Sequence, residues 1–174
     1  YQPLASDLRK LIAYYRMTLN LERIGDMIIN IANAIKKIKD PDIFENMSEL
    51  ISNMLMSSVI MVRKSLLSYL NNDKDLAIWT ISNDSVVDEM HHKLIKKAIS
   101  KSKLSKENQH ILHSFISINS ILSNIERIAD HATNIAEASI YSLEGKDVRH
   151  EGHIVDIPAG TKNEQDDNIE KSGK

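Results

Sequence analysis

The 174-residue chain contains no cysteine. That excludes disulfides, thiolate zinc centres and cysteine nucleophiles, leaves any metal to oxygen or imidazole ligands, and fits a reducing interior. Glycine and proline are scarce, at five and three residues, and aromatics make up 5% of the chain. With few breakers and plentiful Leu, Ile and Met, the composition suits long helices packed on aliphatic cores. Neither sign of charge dominates, with 22 basic against 24 acidic residues. The strong basic footprint of a nucleic-acid or anionic-membrane binder is therefore missing. No run of eighteen apolar residues and no basic-then-apolar leader occurs. Neither a membrane span nor a signal peptide is expected, and a cytoplasmic location is the default.

What is present is helical periodicity. From Leu4, the residues Leu8, Leu11, Ile12, Tyr15, Leu19, Ile24, Ile28, Ile31 and Ile35 recur at three and four, predicting one long helix to about Lys39. Asp40-Pro41-Asp42 stops it, because proline disfavours helix in the residue before it. Asn46 with Glu49 resembles a capping box for a second helix, with Leu50, Met54, Val62, Leu66 and Tyr69 as its core stripe up to Asn71-Asn72-Asp73. A third helix is predicted from about Lys74 to Ser100, a turn over Ser100 to Lys106, and a fourth helix from Ser105 to about Glu144, with Gly145 as C-cap. Periodicity then fails, and 147–174 reads as a flexible tail.

One charged phrase occurs twice. LERIGDMIINIANA at 21–34 aligns with IERIADHATNIAEA at 125–138, with eight of fourteen positions identical. Such a repeat predicts two copies of one supersecondary unit, the second being the three helices from about Phe44 to Glu144. Glu126 lies 82 residues after Phe44, whereas Glu22 has 21 residues before it. By the repeat logic about 60 residues are then expected ahead of residue 1, and with no initiator Met the chain reads as a fragment or processed form. The expected division is 1–40, last helix of a first unit; 41–146, a three-helix bundle; and the tail. A lone first helix must bury its stripe against the second bundle or another chain.

Within each copy Glu, Asp and Asn fall at i, i+4 and i+8: Glu22, Asp26 and Asn30, then Glu126, Asp130 and Asn134. That spacing stacks oxygen-bearing side chains on one helix face, where like charges repel. The third helix adds Asp84, Asp88 and His92 at the same spacing. Carboxylates facing inward from neighbouring helices make a hard-ligand site suited to Mg, Mn or Fe, with His or Asn completing the shell, while Zn would prefer more His. Against this stands the plain reading, in which Arg23 and Arg127 pair with these carboxylates within the helix. His91 and His131 are expected on helix surfaces, and Met47, Met54, Met56 and Met61 as core filling.

ERIGD with its following NIA, and ERIADHATNIAE, resemble the two copies of the acidic signature of the PhoU family, regulators of bacterial phosphate uptake. YSLEGKDVRH resembles the segment closing that family's last helix, and QPLASDLRKLIAYYRMTLNLERIGD the opening of its third helix; the likeness covers about 2–150. The resemblance implies an all-α fold of tandem three-helix bundles, here the last helix of the first bundle plus a complete second one. It also implies metal clusters on the acidic faces, Glu22 and Asp26 serving the first and Asp84, Asp88, Glu126 and Asp130 the second. Met27 departs from the pattern, standing where the second copy has His131. The implied role is that of a non-enzymatic cytoplasmic brake that couples the phosphate ABC transporter to a sensor histidine kinase. No catalytic residues are implied, and a homodimer is expected.

Two other readings compete. Glu89-Met90-His91-His92 and Glu107-Asn108-Gln109-His110 spell the Glu-x-x-His motif of ferritin-like di-iron carboxylate enzymes. Those sites need two further glutamates, and neither motif lies in the repeat. A metal-free helical scaffold is the other.

Overall fold

The computed structural model describes residues 5–102 and 109–148, which form four α-helices: α1 (Ala5–Ile35), α2 (Pro41–Leu70), α3 (Lys74–Ser102) and α4 (Gln109–Glu144). The expected start at Ser105, the turn over 103–106 and the tail from 149 onward lie outside the described residues.

α4 is the centre of the bundle. It packs against all three other helices, α2 packs also on α3, and α1 packs on α4 alone among the described helices. The composition of α4 explains its position, since it is apolar or small on two faces. Ile118, Ile121, Leu122, Ile125, Ala129, Ala132, Ile135 and Ala136 are all buried.

Several helix ends follow from local chemistry. α2 starts at Pro41, not at the Asn46 box, because Asp40 takes the N-cap and its carboxylate accepts from the Ile43 N–H at 3.4 Å, with proline tolerated in the first turn. Asn46 lies inside the helix, where its Nδ2 donates to the Asp42 carbonyl. The α1–α2 corner is fastened to α4, since the N–H groups of Lys39 and Asp40 donate to Ser114 Oγ at 3.0 and 2.8 Å. Asp73 caps α3 by accepting from the N–H groups of Asp75 and Leu76, after Asn72 has turned the chain at φ 54°. Gly145 ends α4 as expected, at φ 73° with its N–H donating to the Tyr141 carbonyl at 2.9 Å.

The expected stripe on α1 needs correction. Of its residues, Ile24 and Ile31 are buried, but Leu8, Leu11, Tyr15, Leu19, Ile28 and Ile35 are exposed. The face against α4 is instead Ala13, Met17, Ile24, Met27, Ile31 and Ala34. Small and pliable residues let two helices approach closely, and the bulky aliphatics lie on a second stripe. Leu50 and Met56 of α2 are likewise exposed, while Met47, Ile51, Met54 and Met61 form its buried row. α2 is long and apolar enough to span a bilayer by length and composition, yet this row is packed within the bundle.

The internal repeat is visible in three dimensions. Adding 104 to the buried positions of α1 gives Ser117, Ile121, Ile128, His131, Ile135 and Ala138 of α4, and five of these are buried while His131 is half-buried. The two helices therefore meet through equivalent faces. Asn30 Nδ2 donates to Asn124 Oδ1 at 3.4 Å, and the repeat mates of this pair, Asn134 and Asn20, line one cavity on the same seam.

Candidate metal centre

α3 and α4 run antiparallel in contact, and one cross-link shows their register: His91 Nδ1 stands 3.7 Å from Glu126 Oε2. From that point Asp88 and Asp84 lie one and two turns back along α3, while Asp130 lies one turn forward along α4. All four carboxylates thus share one seam. The charge on Asp130 registers this directly. Desolvation pushes its carboxyl up from 3.8 to about 6, and the negative charges of Asp84, Glu126 and Asp88 push in the same direction, against a smaller opposing pull from Arg127.

In donor chemistry the cluster fits a hard cation, because its oxygens come from two helices and repel one another. Among the described residues, no three His, Asp or Glu side chains already stand together as a closed ligand set. A cation there would have to draw the carboxylates inward by side-chain rotation.

The remaining expected ligands go elsewhere. Glu22, Asp26 and Asn30 are exposed on α1, and α1 has α4 as its one described helix neighbour. No second described helix brings carboxylates to Glu22 and Asp26, so the first cluster is not assembled here. Asn30 instead bonds Asn124 across the α1–α4 seam. Asn134 lines a cavity of about 280 Å³ with Arg16, Asn20, Glu137, Ala138 and Asp147. His92 is exposed, and its Nδ1 donates to the Asp88 carbonyl at 2.8 Å.

His91, expected on the surface, is the imidazole that meets the cluster. Its side chain is 13% exposed, and its Nε2 is buried without a hydrogen-bond partner. The signal was present in the spacing, since Asp84, Asp88 and His91 fall at i, i+4 and i+7, the more faithful helical row. His131 is half-buried, its Nδ1 2.9 Å from Asn20 Oδ1, and desolvation with the nearby charges of Arg127 and Arg23 holds its pKa below the ordinary 6.5.

The Glu89–His92 motif of the ferritin-like reading does not fit on geometry. Glu89 points to solvent with its side chain 66% exposed and pairs with Lys93 at 2.7 Å. Its motif therefore does not face the bundle interior. Glu107 of the other motif lies outside the described residues.

The PhoU domain model matches residues 1–35 and 51–139. A phosphate-specific transport system accessory protein PhoU homolog from Burkholderia is 30% identical over 153 residues, covering 86% of this chain and 63% of that protein. PhoU homolog 1 of Thermotoga maritima is 30% identical over 150 residues, with the same two coverages of 86% and 63%. The crystal structure of PhoU from Pseudomonas aeruginosa superimposes with a TM-score of 0.71 at 28% identity, covering 84% of this chain and 68% of that one. The chain thus spans less than two thirds of the length of these two curated relatives. They carry the name of a transport accessory protein, not of an enzyme. Both repeated acidic phrases fall within the matched residues, and the chain belongs to the PhoU family.

Proposed function

We propose that this chain is a non-catalytic regulator of phosphate uptake, which keeps the phosphate-starvation response off when phosphate is ample by linking a phosphate ABC transporter to a sensor histidine kinase on the cytoplasmic side. Family membership carries the reading, since relatives matching 86% of the chain are named accessory proteins of the phosphate-specific transport system. The bundle supports a protein that works through helix surfaces. Deleting the gene should derepress phosphate-uptake genes at high phosphate, and unchanged expression would contradict the role.

The acidic seam is the proposed cation site, held by Asp84 and Asp88 of α3 and Glu126 and Asp130 of α4, with Mg, Mn or Fe suited to its oxygen donors and Zn less so. A bound cation supplies positive charge that offsets the mutual repulsion of these carboxylates. The protein's own part is to hold the four groups at one register, which His91 and the buried Leu94, Leu122 and Ile125 secure. A metal-free scaffold is the alternative, and stoichiometric metal in protein purified without chelator separates the two.

α1 is proposed to be the last helix of a first bundle. Its exposed Leu11, Tyr14, Leu21 and Ile28 are the repeat mates of Phe115, Ile118, Ile125 and Ala132, which α4 buries on its α2–α3 side. A helix pair like α2–α3 would suit that stripe equally well. A homodimer is also proposed, with sedimentation velocity as the check.

A further inference from the structure

The α3–α4 seam continues past the carboxylates into an apolar groove. A cavity of about 240 Å³ opens there, lined chiefly by Ile95 and Ile99 of α3 and Phe115, Ile116 and Leu122 of α4, with Asn119 as its polar member. Ile99 and Ile116 are 50% and 58% exposed, and Leu112, one turn before Ile116, is also exposed. Such a contiguous open apolar strip marks a contact surface more often than a scattered surface leucine does.

The groove and the acidic cluster share one line of the bundle. On α3 the positions 84, 88, 91, 95 and 99 advance by four and three, and on α4 so do 112, 116, 119, 123, 126 and 130. Each series lies on a single helix face. Asp88 and Ile95, like Asn119 and Glu126, are seven positions apart, so the carboxylates and the apolar groove lie ~10 Å from each other at the α-helical rise.

We propose that this strip docks an amphipathic helix of a partner protein, with aliphatic residues in the groove and Arg or Lys about two turns along, against Asp84, Asp88, Glu126 and Asp130. Length and chemistry both argue for that occupant. A helix lying in the seam presents side chains at i, i+3, i+4 and i+7, the spacing that spans apolar groove and carboxylates together. Charge selects the basic end, because four carboxylates from two helices share the seam and Arg or Lys side chains offset their negative charge. The inference goes beyond the regulatory reading and does not depend on the cation.

The test uses the full chain, treated with chelator, and a fluorescein-labelled synthetic helix carrying Leu in one half and Arg in the other, followed by fluorescence anisotropy. Saturable binding is expected, weakened about tenfold by Ile116→Asp, by Asp88→Asn with Asp130→Asn, and by changing the peptide's Arg residues to Glu. Ile116 is exposed, so its substitution leaves the fold intact, and circular dichroism verifies this. Affinity indifferent to all three changes overturns the proposal. So does a dimer seen by sedimentation that Ile116→Asp dissolves, since a second copy would then occupy the groove.

Discussion

His91 of α3 reaches within 3.7 Å of Glu126 of α4, and this contact sits between the carboxylates on one side and the apolar groove on the other. Its burial ties the register of the two helices to the acidic seam. Replacing His91 with Leu, which fills the volume without the imidazole, is expected to leave the fold intact while lowering cation affinity several-fold. Isothermal titration with Mn²⁺ measures this, and unchanged affinity would place His91 outside the site's workings.

Asp130 contributes to the pH response of the metal-free protein. Its folded-state pKa is raised from 3.8 to about 6, so the fold disfavours the ionised form, and the resulting penalty is absent below about 4, grows as pH rises, and is complete above about 6. Asp130→Asn removes it. In chelator, the variant's Tm should exceed the wild type's at pH 7, with the gap closing by pH 4; a gap constant with pH contradicts the assignment.

His131 acts in the opposite sense. Desolvation, Arg127 and Arg23 hold its pKa below 6.5, so the neutral ring is the stable form in the fold and its stability is lost as pH falls through 6.5 and below. His131→Met copies the repeat mate Met27. Its Tm should fall less than the wild type's between pH 7.5 and pH 5, and parallel profiles would count against this.

The two stripes of α1 predict unequal costs. Ile31→Ala empties a buried site against α4 and should cost about 2–5 kcal/mol by denaturant unfolding. Leu11→Ala and Ile28→Ala alter exposed positions and should stay within about 0.5 kcal/mol. Equal losses would mean that the second stripe is covered in solution.

Cap chemistry gives a parallel contrast at the α1–α2 corner. Asp40→Ala should cost about 1 kcal/mol through the lost N-cap, whereas Asn46→Ala, inside the helix and exposed, should be nearly neutral.

These contrasts show what a sequence can carry. Helix number, the start of α3 at Lys74 and the Gly145 stop were legible, because caps and breakers act within a few residues. The partner of each face was not. Leu8, Leu11 and Ile28 look like core by size, yet close approach of α1 to α4 selects Ala13, Met17 and Ala34, a preference set by the neighbouring helix and not by the residue itself. Pro41 was legible as a stop, but its second role as the first residue of α2 depends on the Asp40 side chain turning back to the Ile43 N–H. Asn30 and Asn134 keep the metal-like spacing while serving the α1–α4 seam, because the repeat preserves interface residues as readily as ligands.

The proposed cation site lies between α3 and α4, away from Glu22 and Asp26. An anomalous-difference map from crystals of this chain grown with Mn²⁺ tests it most directly. A peak is expected among Asp84, Asp88, Glu126 and Asp130. A map without that peak, or with its peak at Glu22 and Asp26, would contradict it.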